Sequence, residues 1–288
     1  MYNVIVNPIA GKGKAVRAVK KVVKYLKSQN VEFLVFFSET ADDIGVITQN
    51  LCKSGEKEFI IIGGDGTLHN FINALTDPSK TYFGIIPAGK NNHFARYLGI
   101  PFNPVKAIKN ILENTPIKID YLKCNEFRVL NLISCGALEL AQSNFVNQEQ
   151  DGLSRSKVFN QTFEEFQGIK LAIETDNGKI KETLYISCAV CNGGFYSNMY
   201  ISPLSNMHDG LANLILNNYT PSEKIKHGYK SIKKGKHIYT EPNSNSWTSH
   251  INIKSNSVVN ATFDDEPYNF TELDINVISN GLNIYTKR

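Results

Sequence analysis

Long apolar runs are missing from this 288-residue sequence. No stretch approaches the about 20 residues that a helix needs to cross a bilayer, so any membrane contact is expected to be peripheral. The opening MYNVIVNPIAGKGK has no basic segment ahead of an apolar one and no cleavage site, which predicts a cytoplasmic protein. Cysteine is scarce and odd in number: Cys52, Cys124, Cys135, Cys188 and Cys191 mostly lie inside apolar runs. That pattern reads as buried thiols in a reducing compartment and argues against a disulfide framework. Cys188 and Cys191 form a C-x-x-C, but residues three apart on a strand point to opposite faces. No second cysteine pair or nearby histidine completes a zinc set. Outside the basic run from Lys224 to Lys236, charged residues form no block that suggests nucleic-acid binding, and a net charge of +4 is too mild to imply nucleic acid, though it suits an anionic substrate or an anionic membrane surface. Internal repeats and low-complexity tracts are absent. What remains is an ordinary globular composition, 42% hydrophobic and 20% charged, long enough for two domains with a core each.

The most informative stretch is Phe59 to Leu75, FIIIGGDGTLHNFINAL. Ile60, Ile61 and Ile62 run into Gly63-Gly64-Asp65-Gly66-Thr67, and Leu68, Phe71, Ile72 and Leu75 follow at helical spacing. This is a strand, a glycine turn and a helix. The glycines let a bulky ligand approach the backbone, and the N–H groups that open the helix favour an anion, most often a phosphate. Asp65 would repel that anion unless a cation lay between them, so the motif points to a nucleotide phosphate handled with Mg²⁺.

In chain order, Tyr2–Val6 reads as a strand, and the loop from Asn7 to Lys14 lacks P-loop spacing. Ala15–Leu26 reads as an amphipathic helix with a basic face, Val31–Phe37 as a strand and Asp42–Cys52 as a helix. Tyr82–Ile86 is a further strand, leading into Pro87-Ala88-Gly89-Lys90-Asn91-Asn92-His93-Phe94-Ala95-Arg96 and a helix. A last helix spans Pro101–Asn114. Repeated strand, loop and helix predict a three-layer α/β domain over residues 1–116, its ligand loops gathered at the carboxyl ends of a mostly parallel sheet. From Ile117 the texture changes. Short apolar or alternating runs (128–133, 169–175, 183–191, 212–216, 250–253, 257–263, 273–277 and 282–285) predict an antiparallel β-sandwich or barrel domain over 117–288, with a loop followed by a helix over Asn147–Phe166 and a basic helix over Pro221–Lys236. The basic run Lys224, Lys226, Lys230, Lys233, Lys234 and Lys236 reads as a solvated face ahead of a lipid-binding one. His69 reads as a capping or packing residue ahead of a phosphate contact, and Glu164 with Glu165 as a solvated pair.

Three segments, VNPIAGKGK, GGDGTLHNFINAL and IIPAGKNNHFARYLGIP, resemble in order and spacing the catalytic domain of the diacylglycerol kinases, a family that includes sphingosine and ceramide kinases and many bacterial lipid kinases. The resemblance continues through Ile119-Asp120, Asn131 with Gly136, Asn192-Gly193-Gly194, Pro203 to Asp209-Gly210-Leu211, and Asp264-Asp265-Glu266 where the family usually has Asp-Gly-Glu. Distant NAD kinases share the GGDGT element and the two-domain layout.

This resemblance implies an ATP site, with Mg²⁺, in the cleft between the domains. Asn7, Gly11 and Thr40 would approach the nucleotide. Gly63, Gly64, Asp65, Gly66 and Thr67 would hold the phosphates, with Asp65 organising the catalytic Mg²⁺, and Gly89, Lys90 and Asn92 would form the second phosphate loop. Asp264 and Glu266 stand where the family places its catalytic base: one accepts the proton of a lipid hydroxyl, the other orients it. Asp209, with the carbonyls near Asn206 and Leu211, matches a structural Mg²⁺ site of some bacterial members. The implied activity is ATP-dependent phosphorylation of a lipid hydroxyl, a diacylglycerol-like acceptor first, on a lipid presented at the inner face of the membrane. No nucleic-acid partner is implied, and a homodimer is compatible. Three departures stand at the site: Lys90 for a threonine, Asn70 for a glutamate and Asp265 for the glycine. They keep two alternatives in view, a soluble-substrate kinase of the NAD kinase type and a catalytically weak nucleotide- or lipid-binding regulator.

Overall fold

The structure is a computed structural model, and it describes residues 1–147, 154–196, 199–218, 228–239 and 243–287. The chain forms a mixed α/β fold with an extensive antiparallel sheet, and it divides into two compact units. Unit 1 comprises Met1–Tyr121 with Ser279–Arg288, and unit 2 comprises Leu122–Ile278. The change of texture at Ile117 lies four residues ahead of the last residue of unit 1, Tyr121, and the final ten residues count with unit 1.

Unit 1 runs β1 (Tyr2–Val6), α1 (Lys14–Ser28), β2 (Phe33–Phe37), α2 (Asp43–Lys53), β3 (Glu58–Gly63), α3 (Asp65–Ala74), β4 (Tyr82–Pro87), α4 (His93–Tyr97) and α5 (Pro104–Glu113). Its strands are parallel in the order β4-β3-β1-β2. The branched run Phe59–Ile62 is fully buried because a parallel strand with helices on both sides meets water on neither face. Val4, Val6, Ile60 and Ile62 pack with Ala15, Ala18, Val19, Val22 and Leu26 of α1 and with Ala107, Ile108 and Ile111 of α5. Phe59 and Phe83 instead meet Phe71 of α3, ring to ring at 5.4 and 5.5 Å. The expected helix at Pro101 starts three residues later, since the Asn103 side chain accepts from the Val105 and Lys106 amides (3.0 and 3.2 Å) and Pro104 takes the first helical position. Near the C-terminus, Asn283 and Ile284 pair in parallel with Tyr82 and Phe83 of β4, and the buried Asp120 carboxylate accepts from the Asn280 amide at 2.7 Å.

β5 (Pro116–Cys124) leads into unit 2, which continues with β6 (Phe127–Val129), β7 (Leu132–Gly136), α6 (Ala137–Asn147), α7 (Arg155–Glu165), β8 (Ile169–Thr175), β9 (Gly178–Cys191), the short β10 (Phe195–Tyr196) and β11 (Met199–Tyr200), β12 (Ala212–Asn218), α8 (Gly228–Lys233), β13 (Asn243–Thr248), β14 (His250–Phe263) and β15 (Glu266–Tyr285). β7 and β8 both lie between β9 and β14. Gly136 stands opposite Ser187 and Ile169 opposite Tyr185, so the two are successive pieces of one lane, and α6 and α7 occupy the chain between them. The lanes therefore follow a single hydrogen-bonded path, β13-β12-β9-(β7, β8)-β14-β15. One face buries Ile133, Leu171, Tyr185, Val190, Leu214, Ile251, Phe263 and Leu273 together. On the other, Leu132, Ile186, Ala189 and Ile215 pack against Leu138 and Ala141 of α6, Phe159 and Phe163 of α7 and Ile232 of α8. Unit 2 is thus a sheet with helical cover, not a purely β domain. The runs 250–253 and 257–263 are one strand with a register shift between Lys254 and Val259. The run 128–133 is instead split between β6 and β7. Of the helix expected over Pro221–Lys236, only α8 is described; Lys224 and Lys226 lie outside the described residues. Among the described residues no helix is long and apolar enough to cross a membrane.

Candidate functional site

In unit 1 the loops that follow β1, β3 and β4 come from adjacent parallel strands and are fastened to one another. After β1, the Asn7 amide donates to the Ile62 carbonyl (3.1 Å), and the Asn7 side chain donates to Thr67 Oγ1 (3.0 Å) on the first turn of α3. Asn7 Oδ1 accepts from the Ile9 amide, fixing the loop's own bend. After β4, the Ala88 amide donates to the Gly63 carbonyl at 2.8 Å. Asn92, at φ 52°, accepts from the Gly89 amide (2.8 Å) and donates back to its carbonyl (3.0 Å), so the second loop closes on itself.

Contact between these loops is backbone to backbone. A Cβ on Gly64 would lie 2.9 Å from the Gly89 Cα, and a Cβ on Gly89 would lie 2.5 Å from the Gly64 Cα. Gly11, at φ +59°, would place a Cβ 2.0 Å from the Ala88 carbonyl oxygen. Only glycine fits these positions, and the result is a bare peptide surface at the open end of α3, where the first N–H groups have no intrahelical acceptor. A polyphosphate fits a cradle of this kind. Asp65 stands in the first turn of α3, half-buried; its Oδ1 accepts from the Phe94 amide (3.3 Å), and its Oδ2 lies 3.8 Å from the buried His93 Nδ1. It is the carboxylate of this cradle that could hold a divalent cation. Gly66 is half-buried beside it, and Lys90 projects into solvent next to Gly89.

The remaining residue expected at the nucleotide lies one strand farther along. Thr40, after β2, is exposed; its amide donates to Asp43 Oδ2 (2.8 Å) and its hydroxyl accepts from the Asp43 amide (3.3 Å). This reciprocal pair starts α2. Asn70, one of the departures from the resemblance, donates to the Ala41 carbonyl at 2.8 Å and so ties α3 to the Thr40 loop. His69 is buried and its pKa is pushed down to about 4 by desolvation, so at neutral pH it brings no positive charge to a phosphate; its carbonyl accepts from Asn73. Packing is its role.

In unit 2, Asp264 and Asp265 form the turn between β14 and β15, both with positive φ, 53° and 74°. The Asp264 carboxylate is buried and accepts from three consecutive main-chain amides: Leu130 (2.6 Å) on Oδ2, and Asn131 (2.7 Å) and Leu132 (3.1 Å) on Oδ1. The same segment is held from the other side by Asn192, whose side chain donates to the Leu130 carbonyl (2.7 Å) while the Asn192 and Gly193 amides donate to the Asn131 carbonyl. Both Asp264 oxygens are thereby engaged in holding chain. Glu266 has solvent on one side, and its carboxyl is raised above the usual glutamate range, first by the protein packed around it and then by the Asp265 charge. Asp209, Asn206 and Leu211 share one loop ahead of β12. Asp209 is exposed and its Oδ1 accepts from the Leu211 amide (3.0 Å), which closes a local turn.

Sequence reading named most of these residues but not what holds them. The donors to Asp264 lie 132 to 134 positions away, and no local pattern marks such a partner. The tie between Asn70 and Ala41 spans 29 positions and was equally hidden.

Residues 1–124 match the family profile described as the diacylglycerol kinase catalytic domain. A curated diacylglycerol kinase of Staphylococcus carnosus is 29% identical over 136 residues, 47% of this chain and 44% of that one. Another, of Staphylococcus haemolyticus, is 26% identical over 282 residues, covering 94% of this chain and 84% of its own. Among solved structures, a diacylglycerol kinase from Bacillus anthracis str. Sterne superposes with a TM-score of 0.77 at 20% identity, over 99% of this chain and 96% of that one. Yeast NADH kinase complexed with NADH gives a TM-score of 0.54 at 14% identity, over 100% and 84%. At such identities the solved structures speak for the fold alone. Residues 1–124 thus resemble a diacylglycerol kinase catalytic domain, and the chain is similar along nearly its whole length to curated diacylglycerol kinases.

Proposed function

We propose that this protein transfers the γ-phosphate of ATP to a lipid hydroxyl, a diacylglycerol-like acceptor first, with unit 1 handling the phosphates and unit 2 supplying the base. The observation that carries the reading is the backbone contact of Gly64 with Gly89, which joins two phosphate-type loops into one side-chain-free cradle beside Asp65. Phosphoryl transfer is mostly positioning and charge neutralisation, and a rigid set of amides with one carboxylate suits it. Mg²⁺ held by Asp65 would supply the neutralising charge on the phosphate oxygens. Asn7 and Thr67 fix the first loop against α3, Gly11 keeps the β1 loop against the β4 loop, and Lys90 adds a cation next to Gly89.

Glu266 is the group we assign as proton acceptor, because a carboxyl raised toward neutrality takes a hydroxyl proton more readily than one spent on main-chain amides. Asp264 then serves as a positioning residue: it fixes the turn from which Glu266 projects. The lipid acceptor implies work at a membrane surface.

The test is transfer of labelled γ-phosphate from ATP–Mg²⁺ to a lipid extract in detergent micelles, with wild type beside Asp65→Ala and Glu266→Gln. A labelled organic-phase product that both substitutions abolish supports the proposal, and chromatography of the product names the acceptor. NADP formation from NAD with indifference to micelles would overturn it in favour of a soluble acceptor. ATP binding without turnover would leave a regulator.

A further inference from the structure

The first 31 residues contain no Asp or Glu, and α1 carries Lys14, Arg17, Lys20, Lys21, Lys24 and Lys27. Their spacing of 3, 3, 1, 3 and 3 keeps all six on one helix face, opposite the buried Ala15, Ala18, Val19, Val22 and Leu26, and all six are exposed. No carboxylate among the described residues lies within ion-pair distance of them. The neighbouring helix extends the surface. α5 packs beside α1, its Lys109 ammonium sits 5.7 Å from the centre of the Tyr25 ring, and Lys106 is exposed one turn away. Two apolar side chains stand in solvent at the starts of these helices, Val16 on the first turn of α1 (37% exposed) and Phe102 just ahead of α5 (49% exposed). A cluster of eight like charges destabilises the free molecule by self-repulsion, so it calls for an anionic counterpart.

We propose that the outer surface of α1 and α5 is the face with which this protein docks on an anionic lipid bilayer. The inference rests on the lipid-kinase reading for its purpose but on the helix surface for its chemistry. Charge complementarity selects the partner's sign. Exposed Val16 and Phe102 at the starts of these side-by-side helices select a lipid surface over a nucleic acid, since apolar side chains gain from the acyl boundary and nothing from phosphodiesters. The preponderance of lysine over arginine agrees: a bilayer's charge is a smeared potential that point charges meet well, whereas forked guanidinium groups suit fixed phosphates.

The experiment is co-sedimentation of the full chain, without ATP, with vesicles of pure phosphatidylcholine and of phosphatidylcholine with phosphatidylglycerol. Binding is expected only to the anionic vesicles and should fall steeply with added salt. Lys20→Gln with Lys24→Gln should weaken the partition about 25-fold, at roughly fivefold per cation. The same loss of charge at Lys170→Gln with Lys179→Gln, on unit 2, should leave it within about twofold. Equal losses from both pairs, absence of binding to anionic vesicles, or displacement of vesicles by a short RNA at equal charge concentration would each overturn the proposal. Phosphorylation of lipid in detergent micelles separates the two readings. If Lys20→Gln with Lys24→Gln keeps micelle activity but loses vesicle binding, both stand; if wild type binds vesicles yet phosphorylates no lipid, the docking face stands and the lipid-kinase reading falls.

Discussion

At Asp265 a charged side chain occupies a backbone conformation that glycine adopts freely: φ is +74°, and the neighbouring Asp264 is also left-handed. L-residues pay about 1 kcal/mol or more there, with aspartate among the better tolerated. Asp265→Gly is expected to stabilise unit 2 by about 0.5 kcal/mol, the relief being partly offset by the freedom glycine gains when unfolded. Trp247, the only tryptophan, lies on β13 and reports that unfolding by fluorescence. The same substitution removes one of the two causes that raise Glu266, so its carboxylate form should persist to lower pH. The acid limb of kcat/KM then moves down; a limb that stays in place would mean that Glu266 is not the titrating base. In the phosphate cradle, Gly89→Ala forces a Cβ to within 2.5 Å of the Gly64 Cα, and the two loops must part. A shift of that kind is expected to lower kcat about 100-fold while leaving the unfolding transition of unit 2 unchanged.

Between elements, the Asp264 carboxylate joins the turn between β14 and β15 to the approach of β7, and charge-assisted bonds of this kind are worth about 2 kcal/mol each. Asp264→Asn keeps the size but turns an NH₂ toward an amide that needs an acceptor. We expect unit 2 to lose about 2 kcal/mol or more by Trp247 fluorescence, along with activity. Glu266→Gln should abolish turnover with no comparable loss of stability, and only this second variant separates chemistry from folding. A stable Asp264→Asn would show that its carboxylate is free for another task. Some elements were legible in sequence because their own side chains carry the period: α1 by Ala15, Val19, Val22 and Leu26, β3 by its isoleucines. β13 was not, because Asn243-Ser244-Asn245-Ser246 becomes a strand only by pairing with β12. α6 was missed because Ala137, Leu138, Ala141 and Phe145, on its packed side, follow directly after an apolar strand.

For the molecule as a whole, burial keeps a histidine neutral in each unit: His69 in unit 1 and His237 in unit 2 are both pushed down to about 4. Their unfolded counterparts titrate near 6.5. Above pH 6.5 both forms are neutral and stability is complete. As pH falls from 6.5 toward 4, protons bind the unfolded chain preferentially and stability is lost. Both units should therefore weaken in the same window, by about 2 kcal/mol each between pH 7 and 4.5. Trp247 fluorescence reads unit 2, and hydrogen exchange of the β3 and α3 amides reads unit 1. A stability constant over that interval would mean that water reaches the imidazoles. His69→Gln and His237→Gln should each flatten the curve of their own unit only.

Sequence alone determined the parallel α/β half, the loops after β1, β3 and β4, and the kinase resemblance, because glycines, a carboxylate and apolar periods are local and each forces its own backbone. Tertiary structure decided what no local pattern can hold. It paired the two glycine loops through Gly64 and Gly89, occupied Asp264 with amides more than 130 positions away, and set β7 and β8 end to end in one lane with two helices inserted. It also returned the last residues of the chain to β4. The reason is the same in each case: a buried hydrogen bond or a backbone contact belongs to two distant segments at once, and neither segment's residues record the other.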